Sequence, residues 1–194
     1  MRKIVLLLVI SFIGCNSKSD QKNIPQPPKP KGEIAVYKEP KITGDKYFDY
    51  DEIIHYKNNF SEEKIGELYD NQKKSEKDAF RFGVILKDIP KEINSVDFLK
   101  NLESIDYKKS NVDSKKFKEI DEIFTEKKHD EIMEYACVYV YRDILIFKKK
   151  SKIIGIVKIC FDCGDSIILG TKSNTNEFGQ SGDYWKLEKL LSNK

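Results

Sequence analysis

The chain has 194 residues, 39% of them hydrophobic, 35% charged and 11% aromatic, with 35 Lys and Arg against 32 Asp and Glu. That is length for one ordinary domain, too apolar for a disordered tail and too evenly charged for a nucleic-acid binder with a basic footprint. A chain starting at residue 15 would lose Arg2 and Lys3 from the formal charge of +3 and keep +1, so no net charge organises the molecule.

Met1-Arg2-Lys3 supplies a short positive stretch, residues 4–10 are unbroken Ile, Val and Leu, and Ser11-Phe12-Ile13-Gly14-Cys15 closes the segment with a small residue before a cysteine. This is the anatomy of a secretory signal. Its apolar run is about half the roughly 20 residues that cross a bilayer, so a permanent span is the weaker reading. Gly14-Cys15 at the end of the run resembles the lipobox of bacterial lipoproteins, with Phe12 standing where Leu is usual. The resemblance implies removal of residues 1–14, a diacylglyceryl group on the Cys15 sulfur and acylation of the new amino terminus. It also implies a cell-envelope location with membrane lipid as partner. An ordinary signal peptide with a cysteine nearby is the alternative. Asn16, rather than Asp, implies the outer rather than the inner membrane where a cell has two.

Residues 16–32 carry four of the six prolines (Pro25, Pro27, Pro28, Pro30) among Ser, Lys, Asp, Gln and Asn, with Ile24 as their one aliphatic side chain. Such a piece cannot bury a core and favours extended polyproline II, which suits a spacer; a proline-motif ligand needs the same composition. We therefore read residues 15–44 as anchor and tether, and residues 45–194 as a single domain. Ile34, Val36 and Tyr37 suggest a short strand. In Tyr47-Phe48-Asp49-Tyr50-Asp51-Glu52, acids and aromatics mix. A calcium or sugar contact competes with a half-buried strand or loop, and the spacing matches no calcium loop with its central Gly.

Four amphipathic helices follow from caps and spacing. Ser61 precedes Ile65, Leu68 and Tyr69; Ser95 precedes Val96, Leu99, Leu102 and Ile105; Ser114 precedes Phe117, Ile120, Ile123 and Phe124. Ser181 or Asp183 caps Tyr184, Leu187, Leu190 and Leu191, with Tyr184 and Trp185 expected to pack on a sheet. Strands are expected where Phe80, Phe82, Val84 and Leu86 alternate with Arg81 and Gly83, in the apolar runs 136–147 and 153–161, and at residues 167–169. Lysines 148–150 and 152 mark the tip of a hairpin. The class is α+β, a mainly antiparallel sheet with about four helices packed on it.

If Cys15 is acylated, Cys137, Cys160 and Cys163 remain. Centring the hairpin on Lys150 sets Cys137 opposite Cys163, Tyr139 opposite Phe161, Tyr141 opposite Ile159 and Leu145 opposite Gly155. The odd-numbered face is then apolar, while the even face collects Arg142, Lys158 and Asp162. This arrangement predicts a cross-strand disulfide between Cys137 and Cys163, with Cys160 a buried free thiol. Two chemical readings compete. Cys160-Phe161-Asp162-Cys163 is a C-x-x-C, but it follows a strand and no helical pattern succeeds it, and Asp162 and Asp165 disfavour a thiolate. Zinc would need a fourth ligand, His55 or His129, at a spacing that fits no zinc pattern; His129 is expected to be exposed in a charged loop. Gly164-Asp165-Ser166 lacks the second Gly of a nucleophile elbow and any later His. The segment from Tyr141 through Cys163, with Cys137 upstream, resembles a hairpin of small bacterial secreted proteins and lipoproteins without known activity, which assigns no functional residue. The sequence reads as an anchored, non-enzymatic binding or envelope-organising module with no catalytic residue, metal or cofactor assigned. Its ligand would be a protein or small molecule, not nucleic acid; a redox or metal-binding module at Cys160 and Cys163 is the alternative.

Overall fold

The computed structural model describes residues 40–129, 132, 136–180 and 182–192. The signal segment, Cys15, the proline-rich stretch, the strand expected at residues 34–37 and Ser181 lie outside them.

Two strands carry the fold. β5 (Asp143–Lys149) and β6 (Lys152–Cys160) pair antiparallel, and between Ile144 and Phe147, and between Gly155 and Cys160, every residue is buried. A strand apolar at successive positions must be covered on both faces. The sheet order β3-β2-β5-β6-β7 puts them in its interior, with β2 (Glu52–Lys57) on one side and β7 (Asp165–Leu169) on the other; β3 (Lys108–Asn111) forms an edge. A separate antiparallel ribbon joins β1 (Lys41–Lys46) to β4 (Thr125–Lys128), so the folded chain reaches back to Lys41.

One face presents Ile54, Tyr56, Ile144, Ile146 and Ile156 to α1 (Glu62–Asp70), α2 (Glu76–Leu86) and α3 (Val96–Leu102), through Ile65, Val84, Ile85, Phe98 and Leu102. The other presents Ile53, Leu145, Phe147, Val157 and Ile159 to α4 (Phe117–Ile123) and α5 (Asp183–Ser192), through Ile120, Ile123 and Leu187. The fold is α+β with an antiparallel sheet between two helical layers. The even face, on which Arg142, Lys158 and Asp162 were expected to collect, is thus the first of two cores, and the odd face is the second.

The expected strand at residues 80–86 is a helix. Ser75 accepts the Asp78 N–H and donates its hydroxyl to the Asp78 carboxylate, a capping arrangement that starts α2 and puts Val84 and Ile85 inside. The alternation of Phe80 and Phe82 is incidental: Phe80 packs on the first core while the Phe82 ring lies tilted against Tyr69 with centroids 6.2 Å apart. The helix at Ser95 continues as a tight turn to Ile105. At α4 the capping carboxylate is that of Asp113, which accepts the Lys115 N–H.

The hairpin turn is shorter than expected. Lys149 pairs with Lys152, leaving Lys150 and Ser151 as a two-residue loop with φ of 48° and 64°. A register shift next to Phe147 then sets Phe147 opposite Gly155 and Leu145 opposite Val157, two residues from the expected alignment. An even displacement preserves which residues share a face. Gly155 is required: a Cβ there would lie 2.3 Å from the Phe48 ring, which stacks on Phe147 with centroids 4.5 Å apart. The acids of residues 47–52 serve this same tip. Asp51 accepts the Lys150 N–H at 2.9 Å and Asp49 pairs with the Lys149 amine at 2.9 Å, while Tyr47 and Phe48 turn inward.

Left-handed backbone at two non-glycine residues costs roughly 1–2 kcal/mol each. Replacing Lys150-Ser151 by Asn-Gly should raise the unfolding free energy by about 1 kcal/mol or more, read from urea denaturation, with the Asp51 contact to the backbone retained.

Candidate functional site

The chemistry-bearing residues gather where β6 turns into β7. The segment 136–142, expected as strand, is not one: β5 begins at Asp143, and the preceding residues cross the end of the sheet as a strap. Its backbone groups are held individually. The Val140 N–H donates to Cys160 Sγ at 3.3 Å, the Tyr141 N–H donates to the Ile85 carbonyl, and the Tyr141 carbonyl accepts from the Tyr107 hydroxyl. The Arg142 carbonyl accepts the Asn58 N–H, and its guanidinium reaches the Phe60 carbonyl and the Asp162 carboxylate.

Cys137 and Cys163 are joined as a disulfide with Cα atoms 6.0 Å apart, and Cys160 is a buried free thiol. The expected partners meet, but by another route. The bond ties the strap to the β6–β7 turn rather than crossing two paired strands. The C-x-x-C sulfurs are therefore not partners, and the turn that contains Cys163 passes through Gly164 at φ 61° into β7, not into a helix. Burial pushes the Cys160 thiol up, with the N–H of Val140 opposing it. Such a thiol is protonated and shielded at neutral pH. Asp162 is engaged by Arg142.

Beneath the strap on the first-core face, Lys158 is fully buried. Its amine donates to the Lys87 carbonyl at the end of α2 and lies 4.5 Å from the centre of the Tyr141 ring. A helix C-terminus and an aromatic face both favour a cation. Burial nevertheless pulls the ammonium down from 10.5 to about 7, against the charge of Asp88. The Tyr141 hydroxyl donates to Asp165 at 2.5 Å, on the face of Cys160 and Lys158, and the Tyr184 hydroxyl donates to Ser166 at 3.1 Å, on the face of Ile159. Burial first, and then the neighbouring carboxylate, pushes the Tyr141 phenol up. A cavity of about 720 Å³ opens here, lined among others by Tyr139, Cys163, Asp165, Ser166, Asn176 and Tyr184. It offers hydroxyls, two side-chain amides and one carboxylate against aromatic walls, a set suited to a polar small molecule.

The two histidines lie elsewhere. His55, in the middle of β2, is buried with Nε2 2.7 Å from Asp143 Oδ1. His129 is not exposed as expected: its ring and N–H are both held by Glu177. Neither stands with the cysteines, and among the described residues no three His, Cys, Asp or Glu side chains are grouped as a metal site requires. The buried Lys158, the His55 to Asp143 pair and the Tyr141 to Asp165 bond were not found as contacts from sequence. A polar residue inside a run such as Ile53-Ile54-His55-Tyr56 is the signal that could have found them, since a buried polar group must be partnered. No model of a known family, no curated protein and no solved structure matches the chain.

Lys158 gives the site a pH signature. Between about 7 and 10.5 the unfolded chain holds a proton that the folded chain has released, so this residue makes stability rise with pH in that interval. The unfolding free energy of the wild type relative to a Lys158→Met variant should climb by up to about 1 kcal/mol per unit from pH 7 to 9, measured by urea melts. A flat difference would show that the amine keeps its ordinary affinity for protons.

Proposed function

We propose that this chain is a bacterial lipoprotein, cleaved before Cys15 and held by acyl chains on that residue. In this reading the tether lifts a non-enzymatic binding module off the membrane, and the outer membrane is the site where a cell has two. The observation that carries the reading is the pairing of an export-type N-terminus, ending in Gly14-Cys15, with a Cys137 to Cys163 disulfide in the folded part. Disulfides persist in exported proteins and are rare in the cytosol. Each fatty-acyl CH₂ adds about 0.8 kcal/mol of membrane affinity, so several chains hold a protein on the bilayer indefinitely. The binding role is supported by the polar cavity beside the disulfide and by a Cys160 thiol that burial keeps protonated.

Intact mass of the membrane-derived protein should correspond to a chain beginning at an acylated Cys15, and Cys15→Ala should abolish both the cleavage and the added mass. A mature protein that retains Met1, or one with an unmodified Cys15, overturns the reading.

A further inference from the structure

The cavity beside the disulfide is assembled from three segments far apart in sequence. Asp165 and Ser166 come from the start of β7, Thr175 and Asn176 from the loop that precedes α5, and Tyr139 from the strap. β7 is the last strand of its sheet, so a cavity beside it is lined from both faces, by Asp165 on one and Ser166 on the other. The Cys137 to Cys163 bond holds the strap against the turn, and Cys163 is itself in the lining. Tyr184 is fixed as well: its hydroxyl is on Ser166, and its ring lies so close to Gly179 that a Cβ there would come within 1.9 Å of it. The walls are thus set before a ligand arrives, which lowers the ordering cost of binding.

Much of the hydrogen-bonding capacity of this lining is unspent. Asp165 uses one carboxylate oxygen for Tyr141, and Ser166 accepts from Tyr184. The other Asp165 oxygen, the Thr175 hydroxyl and the Asn176 side-chain amide have no partner among the described residues. Each of these reaches solvent, because Arg81 Nε is the one buried polar side-chain atom left unpaired there. Asp165 also carries the one charge: no Lys, Arg or second acid lines the cavity among the described residues. No cation is present to meet a phosphate or carboxylate ligand, and a single carboxylate shared with a phenol is no metal site. What remains is a set of groups that donate and accept, beside Tyr139, which is 38% exposed. A sugar ring asks for that combination. Its hydroxyls each donate one hydrogen bond and accept others, neighbouring hydroxyls match the two edges of an amide or carboxylate, and its C–H face lies against an aromatic ring. The volume, about 720 Å³, is that of a small-ligand site. We infer that this cavity binds a neutral saccharide, with Tyr139 against the ring face and Asp165, Thr175 and Asn176 on its hydroxyls. The inference rests on the binding-module reading above and is independent of the lipid anchor.

The full, processed protein, kept in a detergent without a sugar headgroup, is applied to an immobilised panel of neutral and acidic oligosaccharides and to immobilised choline. The strongest neutral binder is then titrated by saturation-transfer NMR. Retention by a neutral oligosaccharide is expected, with saturation reaching its ring C–H protons. Tyr139→Ala and Asn176→Ala, both at exposed positions and checked for folding by urea melts, should each weaken it roughly tenfold. A neutral sugar that both variants bind as the wild type does lies elsewhere and overturns the site. Retention by acidic oligosaccharides or choline alone overturns the sugar and leaves a binding module. A neutral sugar that is bound and then shortened upholds the inference and overturns the non-enzymatic reading. Retention by nothing on the panel overturns the inference, while the mass at Cys15 still decides the anchor.

Discussion

The central pair of strands has no wet side. Ile144, Leu145, Ile146 and Phe147 are each at 0% exposure, and their side chains alternate between two cores. Burying a large aliphatic or aromatic side chain contributes roughly 1.5–3 kcal/mol, so leaving either face uncovered would forfeit several such terms at once. Helices are therefore required on both sides, and the chain supplies α1 to α3 for one and α4 and α5 for the other. The strap follows from the same arrangement. β5 already has β2 on one edge and β6 on the other, and β6 is taken at its last residues by β7, where Cys160 pairs with Asp165. Residues 136–142 have no free sheet edge to join there, so they cross the end of the sheet and fix themselves to Ile85, Tyr107 and Cys160. This path brings Cys137 to Cys163.

Much of this was legible because short-range chemistry and long-range packing agree. The Ser61 cap followed by Ile65 and Leu68 gives α1, and the apolar runs near residues 144 and 156 give the hairpin. Where they disagree, the sequence misleads. In α2 the alternating Phe80 and Phe82 imitate a strand, although Ser75 and Asp78 carried the cap that decides for helix. Strands β1, β3 and β4 read KITGDK, KKSN and TEKK. Beyond Ile42, Thr43 and Thr125 those strings are polar and show no apolar alternation, and their pairing comes from neighbours far along the chain. β2 has the apolar content, but its His55 makes sense only beside Asp143, 88 residues away.

The candidate site was legible in its residues and not in its geometry. Cys137 and Cys163 were matched from the hairpin alignment, yet neither lies in a strand: they meet because the strap crosses to the β6–β7 turn, so the pair was legible and its route was not. The strap was invisible because it depends on what already occupies the sheet edges, and the two-residue turn because its Asp51 contact comes from 99 residues away. Lys158 was grouped with Arg142 and Asp162 on the even face, and it lies under that strap with its amine on the end of α2. A lysine in that position is tolerable only because a helix C-terminus and an aromatic ring receive it. The same logic separates Tyr184 from Trp185: the first has a phenylalanine and a serine to meet, and the second stays exposed with the Lys189 amine over its ring.

Whether the sheet is covered on both faces is tested most directly at two adjacent residues. Ile146→Ala removes a side chain from one core and Phe147→Ala from the other. Measured by urea denaturation, each should lower the unfolding free energy by about 2–5 kcal/mol, in the range of large-to-small changes in packed cores. A sheet with one solvent-facing side would show a large loss at one of these positions and a change within about 0.5 kcal/mol at the other, and that asymmetry would contradict the account.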